Sequence, residues 1–105
     1  MTRGILATIY ATGSATTEAC TTAARQFYAD RPFIRISDKP PHTKWAAGSN
    51  LAFIHYACDP ARKLMMAVAA IDNLGKGAAG QAVQNANLMF GLDETTGLTG
   101  TPIWP

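Results

Sequence analysis

Charge is what this chain has least of. Only 15% of its 105 residues are Asp, Glu, Lys or Arg, and the formal net charge is +2. An excess so small and so scattered excludes the electrostatic footprint of a nucleic-acid-binding or anionic-membrane-binding domain. Cysteine is scarcer still. Cys20 and Cys58 form neither a C-x-x-C pair nor a metal-ligand spacing. A disulfide between them stays open, but two reduced thiols in a cytosolic protein are the simpler reading. His42 and His55 are the only histidines, and neither stands in a nucleophile arrangement with a cysteine. The adjacent carboxylates Asp93 and Glu94 read as a solvated turn. No apolar run reaches the roughly 18 residues of a membrane span, and MTRGILATIY lacks a cleavable leader's pattern, so a soluble, cytoplasmic chain is expected.

What the chain does have is apolar surface. Hydrophobic residues make up 48% of it, enough for one modest core in a single domain. Several apparent surfaces are rich in Ala and Thr rather than ionic residues, which suits a domain that a partner covers. Arg3–Ala11 alternates as a strand that starts almost at the first residue, which hints at a cut or a late start. Ser14, Thr16 or Thr17 caps a helix to about Ala29, with Glu18 in its first turn. Its buried stripe is expected to be Ala19, Ala23 and Phe27 beside Cys20, Ala24 and Tyr28, which makes Cys20 an inert core thiol. Asp30-Arg31-Pro32 stops it.

Phe33–Ile36 is a short strand, and Ser37–Thr43, with Pro40 and Pro41, is a loop. Lys44–Asn50 is small and polar around Trp45, and reads equally as a cleft wall or a linker. Leu51–Ala57 and Lys63–Ile71 form a hairpin across an Asp59-Pro60 turn. His55 alternates within it as a structural or surface residue. Leu64–Ile71 is apolar on both faces and is expected to be central and covered on both sides. A last helix runs from Gly77 to Phe90, capped by Gly91, with Ala79, Ala82, Val83, Ala86 and Phe90 as its core stripe. Its opposite face, Gln81, Gln84 and Asn85 with Asn87 nearby, is polar but uncharged, which suggests hydrogen bonding to a ligand or a second protein surface. The order β-α-β-β-β-α makes an α+β domain, with a mostly antiparallel or mixed sheet and two main helices.

Between the last strand and that helix lies Gly75-Lys76-Gly77-Ala78-Ala79-Gly80, a literal G-x-G-x-x-G. Backbone N–H groups in such a turn can meet an anion at a helix N-terminus. A Rossmann fingerprint also needs a second parallel strand ending in an acidic residue about 20 positions on. DETTGLTGTPIWP offers turn chemistry instead, and Asp93 and Glu94 come too early. The glycines either meet a phosphate in some other setting or serve only close packing of helix on strand.

MTRGILATIY, KWAAGSN and above all AIDNLGKGAAGQAVQNANLMFGLDETTGL resemble the C-terminal portion of N-acetyl-γ-glutamyl-phosphate reductase, over nearly the whole chain. The resemblance implies an NADP-dependent, two-domain enzyme of arginine biosynthesis. It reduces N-acetyl-γ-glutamyl phosphate to the semialdehyde with release of phosphate. It also implies a fold similar to the C-terminal domain of glyceraldehyde-3-phosphate dehydrogenase, a homo-oligomer, and a helix at 77–91 that returns to a Rossmann domain outside residues 1–105. In that family a cysteine of an Asn-Pro-Gly-Cys motif attacks the acyl phosphate, and a histidine of a His-x-Pro-Glu-type segment assists the later hydride transfer.

Neither motif occurs here. Cys20 and Cys58 do not inherit the nucleophile's place, and His42 and His55 lack the neighbours. Residues 1–105 are therefore read as a partial domain, inactive alone. The resemblance carries over to Asn73, Lys76, Gly77, Ala78 and Gln81 on the cofactor side. On the substrate side it carries over to Arg3, Lys44 and Ser49. Two other readings stand beside it: a non-catalytic dimerisation module, and a small anion-binding protein using the glycine turn by itself.

Overall fold

Extended and helical segments follow the residue types. The computed structural model describes residues 3–103. The alternating stretch ILATIYAT forms strand β1, Ile5–Thr12. Helix α1, Thr17–Phe27, begins where Thr16 turns extended and its Oγ1 accepts the N–H of Ala19 at 3.1 Å; Glu18 sits favourably in the first turn. A three-residue strand β2, Ile34–Ile36, and a one-turn helix α2, Thr43–Ala46, lead to β3, Ala52–Asp59. β3 folds back into β4, Leu64–Ile71, through a tight turn in which Lys63 takes φ 52°. A π-turn, Gly75–Ala79, then feeds helix α3, Gly80–Met89. Gly91 closes α3 at φ 69°, as expected of a glycine after a helix end.

The sheet runs β1-β4-β3-β2. β1 pairs antiparallel with β4 from Ile5↔Ile71 to Thr12↔Leu64, and β3 pairs antiparallel with β4 from Ala52↔Ile71 to Asp59↔Leu64. The short β2 lies parallel to β3. β1 and β2 are thus opposite edges, and α1 crosses one face to join them. Successive strand side chains alternate between faces. Tyr56 and Cys58 therefore share the α1 side, while Phe53, which meets the Trp45 ring at 5.7 Å, points to the other.

The core is small: Ala24, Phe33, Ala46, Ala52 and Ala70 are its buried apolar members. The molecule measures 45 × 33 × 18 Å. Eighteen ångströms is about one sheet with a single layer on it, given ~10 Å between packed layers. The accessible surface is 6688 Å², against about 5,700 Å² expected for a folded monomer of this mass. Large apolar side chains exposed on the sheet and on α3 contribute to that surface. Ile5, Leu6, Ile9 and Tyr10 of β1 are all exposed.

Several expectations change here. β4 is central, as its apolar sequence implied, but most of its side chains are only half-buried because little covers the β1 half of the sheet. Only the Cys20, Ala24, Tyr28 line of α1 faces inward; Ala19 and Ala23 are exposed, and Phe27 is 76% exposed. Cys20 is half-buried, with Cys58 beside it, rather than sealed in a core. Lys44–Asn50, read as a cleft wall or a linker, begins inside a one-turn helix, Thr43–Ala46, and its Trp45 packs between His42 and Phe53.

The largest correction concerns α3. Ala79, Ala82, Val83 and Phe90 are exposed and Ala86 is half-buried, whereas Gly80 and Asn87 are buried. The helix is turned about its axis relative to the stripe expected from hydropathy. Its amides meet the chain's own loops, and its apolar side faces out.

Candidate functional site

One buried carboxylate organises the segment between β4 and α3. Asp72 follows the last residue of β4 and its side chain is 0% exposed. Its Oδ1 accepts from Arg3 Nε at 2.6 Å and its Oδ2 from Arg3 Nη2 at 2.7 Å, a two-pronged pair that suits guanidinium and carboxylate geometry. Oδ2 also accepts the Gly75 N–H at 2.7 Å. These hydrogen bonds, Arg3 foremost and the backbone N–H groups of Gly75 and Gly48 after it, hold the carboxyl down at about 2 against the opposing effect of burial. Three separate segments meet on one side chain: the approach to β1, the loop after α2, and the glycine turn. Asn73 ties the first of these again by accepting the Gly4 N–H on Oδ1 at 3.0 Å.

The glycines are needed for approach distance. A Cβ on Gly75 would lie 2.5 Å from the Ser49 carbonyl oxygen, and one on Gly80 would lie 2.8 Å from the Gly75 carbonyl and close against Asn50 Oδ1. The turn is therefore pressed onto the Ser49-Asn50 segment. The Gly77 N–H donates to the Asp72 carbonyl at 2.8 Å, so it is committed within the chain.

Beyond the glycines, a polar chain crosses from the turn to the tail. Lys76 Nζ donates to Gln84 Oε1 and stands 5.6 Å above the Phe33 ring. Burial pulls the Lys76 ammonium down, with Glu94 opposing. Asn50 Nδ2 also donates to Gln84 Oε1, at 3.3 Å, and Gln84 Nε2 donates to Glu94 Oε2 at 2.8 Å. Glu94 is thus half-buried and paired, where the sequence read a solvated turn. Asn87 Nδ2 donates to the carbonyls of Glu94 and Thr96 at 3.3 and 2.9 Å, pinning the segment after α3. The uncharged amides of α3 bind the chain's own loops, with Gln81 and Asn85 bonded to each other at 3.3 Å. A cavity of about 280 Å³ opens between Ser49-Asn50, Gly75, Gly80, Val83 and Leu98.

Of the residues singled out from the sequence, Arg3, Asn73, Lys76, Gly77, Ala78 and Gln81 gather around this turn. Ala78 is exposed. Arg3 is engaged with Asp72, and its side chain stays 43% exposed. Ser49 is buried; its Oγ donates to the Ala46 carbonyl and accepts the Leu51 N–H, a local turn bond. Lys44 is exposed on α2. His55 is structural, with Nδ1 3.0 Å from the Ser37 carbonyl.

The residue that sequence reasoning missed is Asn50, and with it the role of Asp72 in holding the turn. Asp72 had a signal: an Asp three residues before a glycine, at a strand end, is an Asx-type turn former. Asn50 had none, because its link to Gln84 spans 34 positions. The thiols lie elsewhere. Cys58 pairs with Met65 at the far end of β4 from Ile71, about 20 Å along the strand. Among the described residues no group of three or more His, Cys, Asp or Glu is placed to hold a metal ion, and no helix is long and apolar enough to cross a membrane.

A mixed four-stranded sheet with α1 on one face and a broad uncovered apolar surface over its β1 half defines an association domain. The chain belongs to the family of semialdehyde dehydrogenase dimerisation domains, whose model matches residues 1–73. Its relatives narrow this further. It is 70% identical to the N-acetyl-γ-glutamyl-phosphate reductase of Bradyrhizobium sp. (strain ORS 278), and 66% identical to that of Methylobacterium sp. (strain 4-46). The Symbiobacterium thermophilum reductase is 50% identical. In each case all of this chain is matched but only 32% of the relative, so the chain spans about a third of the length of the curated relatives it resembles.

Proposed function

We propose that this chain is the subunit-association part of an NADP-dependent N-acetyl-γ-glutamyl-phosphate reductase, with a fold of the kind found in the C-terminal domain of glyceraldehyde-3-phosphate dehydrogenase. The observation that carries the proposal is the surplus of about 1,000 Å² of accessible surface. That is the contribution of one partner, or slightly more, to a standard-sized interface of ~800 Å² per side. A second copy covers the sheet face that carries Leu6, Tyr10, Met66 and Val68. The cofactor-binding part of the enzyme covers α3, on which Val83, Leu88, Met89 and Phe90 face outward.

In this reading the nucleophilic thiol and the dinucleotide domain lie in the remainder of the enzyme. The nicotinamide cofactor supplies the hydride. This chain's residues shape the wall it approaches. Asp72 fixes the turn, Asn73 and Gly4 brace its base, and Lys76, Ala78 and Gln81 line its outer side. Arg3 holds Asp72 with two donors and keeps a remaining edge toward solvent, where a substrate carboxylate or phosphate suits it. Lys44 stands farther out, on α2, as a substrate-side residue, and Ser49, buried directly against the glycine turn, contributes through its backbone.

The 105-residue chain is expected to sediment as a dimer or larger species. Given the semialdehyde, phosphate and NADP⁺, it is expected to produce no NADPH. Turnover by the chain alone overturns the proposal. A stable dimer whose surface gains nothing when the remaining two-thirds of such a reductase is added favours a stand-alone association module instead.

A further inference from the structure

Helix α1 meets the sheet along a seam that contains two thiols. Cys20 lies on its inward line with Ala24 and Tyr28, and Cys58 lies near the end of β3 on the same side of the sheet as Tyr56. The sulfurs are 3.7 Å apart and both residues are half-buried. A second contact keeps them in register: Thr17 Oγ1, in the first turn of α1, accepts the Cys58 N–H at 2.8 Å. Start of helix and end of strand are therefore fastened together one turn from the sulfur pair. Closing a van der Waals contact of this kind to a bond of about 2.05 Å needs small side-chain rotations shared between the partners.

We propose that Cys20 and Cys58 are an oxidisable pair that closes to an intramolecular disulfide between α1 and β3 by exchange with a small disulfide of the glutathione class. One cysteine thiolate attacks the small disulfide, forming a mixed disulfide and expelling one small thiolate, which takes up a proton. The second cysteine thiolate attacks the protein sulfur of that mixed disulfide and expels the other small thiolate. Two cysteine thiols are oxidised and one small disulfide is reduced to two thiols. Burial and the neighbouring Cys58 push the Cys20 thiol up, so exchange quickens as pH rises. The bond would pin the crossover helix on the side of the sheet opposite Leu6, Tyr10 and Val68, leaving that face free for association.

The test incubates the 105-residue chain with oxidised and reduced glutathione, folded and in urea. Samples are acid-quenched, alkylated and weighed. The folded chain is expected to lose the mass of two hydrogens and both alkylatable thiols. Its closure constant should exceed that of the urea-unfolded chain by on the order of 10²–10³-fold, from the loop entropy released by folding. Oxidation is expected to raise the melting temperature reversibly without changing the sedimenting mass, and C20S and C58S should each lose this response. Arrest at the mixed disulfide, cross-linking between chains, or closure no more favourable than in urea overturns the proposal.

Discussion

Replacing Asp72 with Asn isolates the charge on which three segments converge. Asn keeps the size of the side chain and can still accept the Gly75 N–H, but it gives up the ionic partner of Arg3. The carboxyl is held at about 2 rather than its usual 3.8, which is worth about 2 kcal/mol of folding free energy at neutral pH. Cutting a buried ion pair on one side ordinarily costs about 3–5 kcal/mol because the other charge is stranded. Here the Arg3 side chain is 43% exposed and can return to water, so about 2–3 kcal/mol is expected. For a domain near 100 residues this lowers the melting temperature by on the order of 10–20 °C.

The acid limb gives a second, sharper readout. A carboxyl whose folded value lies below its unfolded value stabilises fully above about pH 4, and that stabilisation disappears as pH falls through about 2. Calorimetry at fixed chain concentration between pH 2 and 7 should therefore show a steeper acid loss for the wild type than for D72N. The Arg3→Met variant strands the fully buried carboxylate instead and should cost more, about 3–5 kcal/mol, and R3M/D72N much less than the sum of the two. A melting change under about 3 °C for D72N, or parallel acid limbs, would refute the reasoning that Asp72 organises the turn.

Four further outcomes follow from the same geometry. Gly80→Ala should lower stability by about 1–3 kcal/mol in a urea melt, since its Cβ meets the unyielding Gly75 carbonyl at 2.8 Å. Asn87→Ala removes both bonds to the segment after α3 and should cost about 1–3 kcal/mol, with protease cleavage appearing near Glu94–Thr96. Phe90→Ser changes a side chain that is 79% exposed and should leave the chain's stability within about 0.5 kcal/mol, while weakening its capture by the rest of a reductase in a pull-down. Leu6→Asp or Tyr10→Asp places a charge on the open sheet face and should shift sedimentation toward monomer with little change in helix signal.

The strands were legible because their signals are local. Alternation in Ile5–Thr12, the apolar run at Leu64–Ile71 and the Asp59-Pro60 turn each sit within a few residues, and the ladders followed. Thr16 and Gly91 likewise announced their caps. The orientation of α3 was not legible. Hydropathy assumes that apolar side chains face the chain's own core, and that fails for a helix whose apolar side awaits something else. Val83 and Phe90 therefore point outward while Gln84 and Asn87 take the inner positions. The glycine turn was found in the right place and given two readings. Contacts of Gly75 and Gly80 with Ser49 and Asn50 support the packing one, and those residues are too distant in sequence for any motif to include them.

β1 carries a hazard of its own. It lies at an edge of the sheet, eight residues long, and ILATIYAT contains neither a charge nor a proline. The opposite edge, β2, is protected by its three-residue length. β1 has no such guard: one side of its backbone offers N–H and C=O groups to any passing strand. An uncharged, β-branched segment of this kind is a template for sheet extension and fibril growth. During synthesis and refolding, then, timing matters as much as affinity. Whatever lies along β1 has to arrive before another uncovered β1 does, and soluble yield should fall as chain concentration rises.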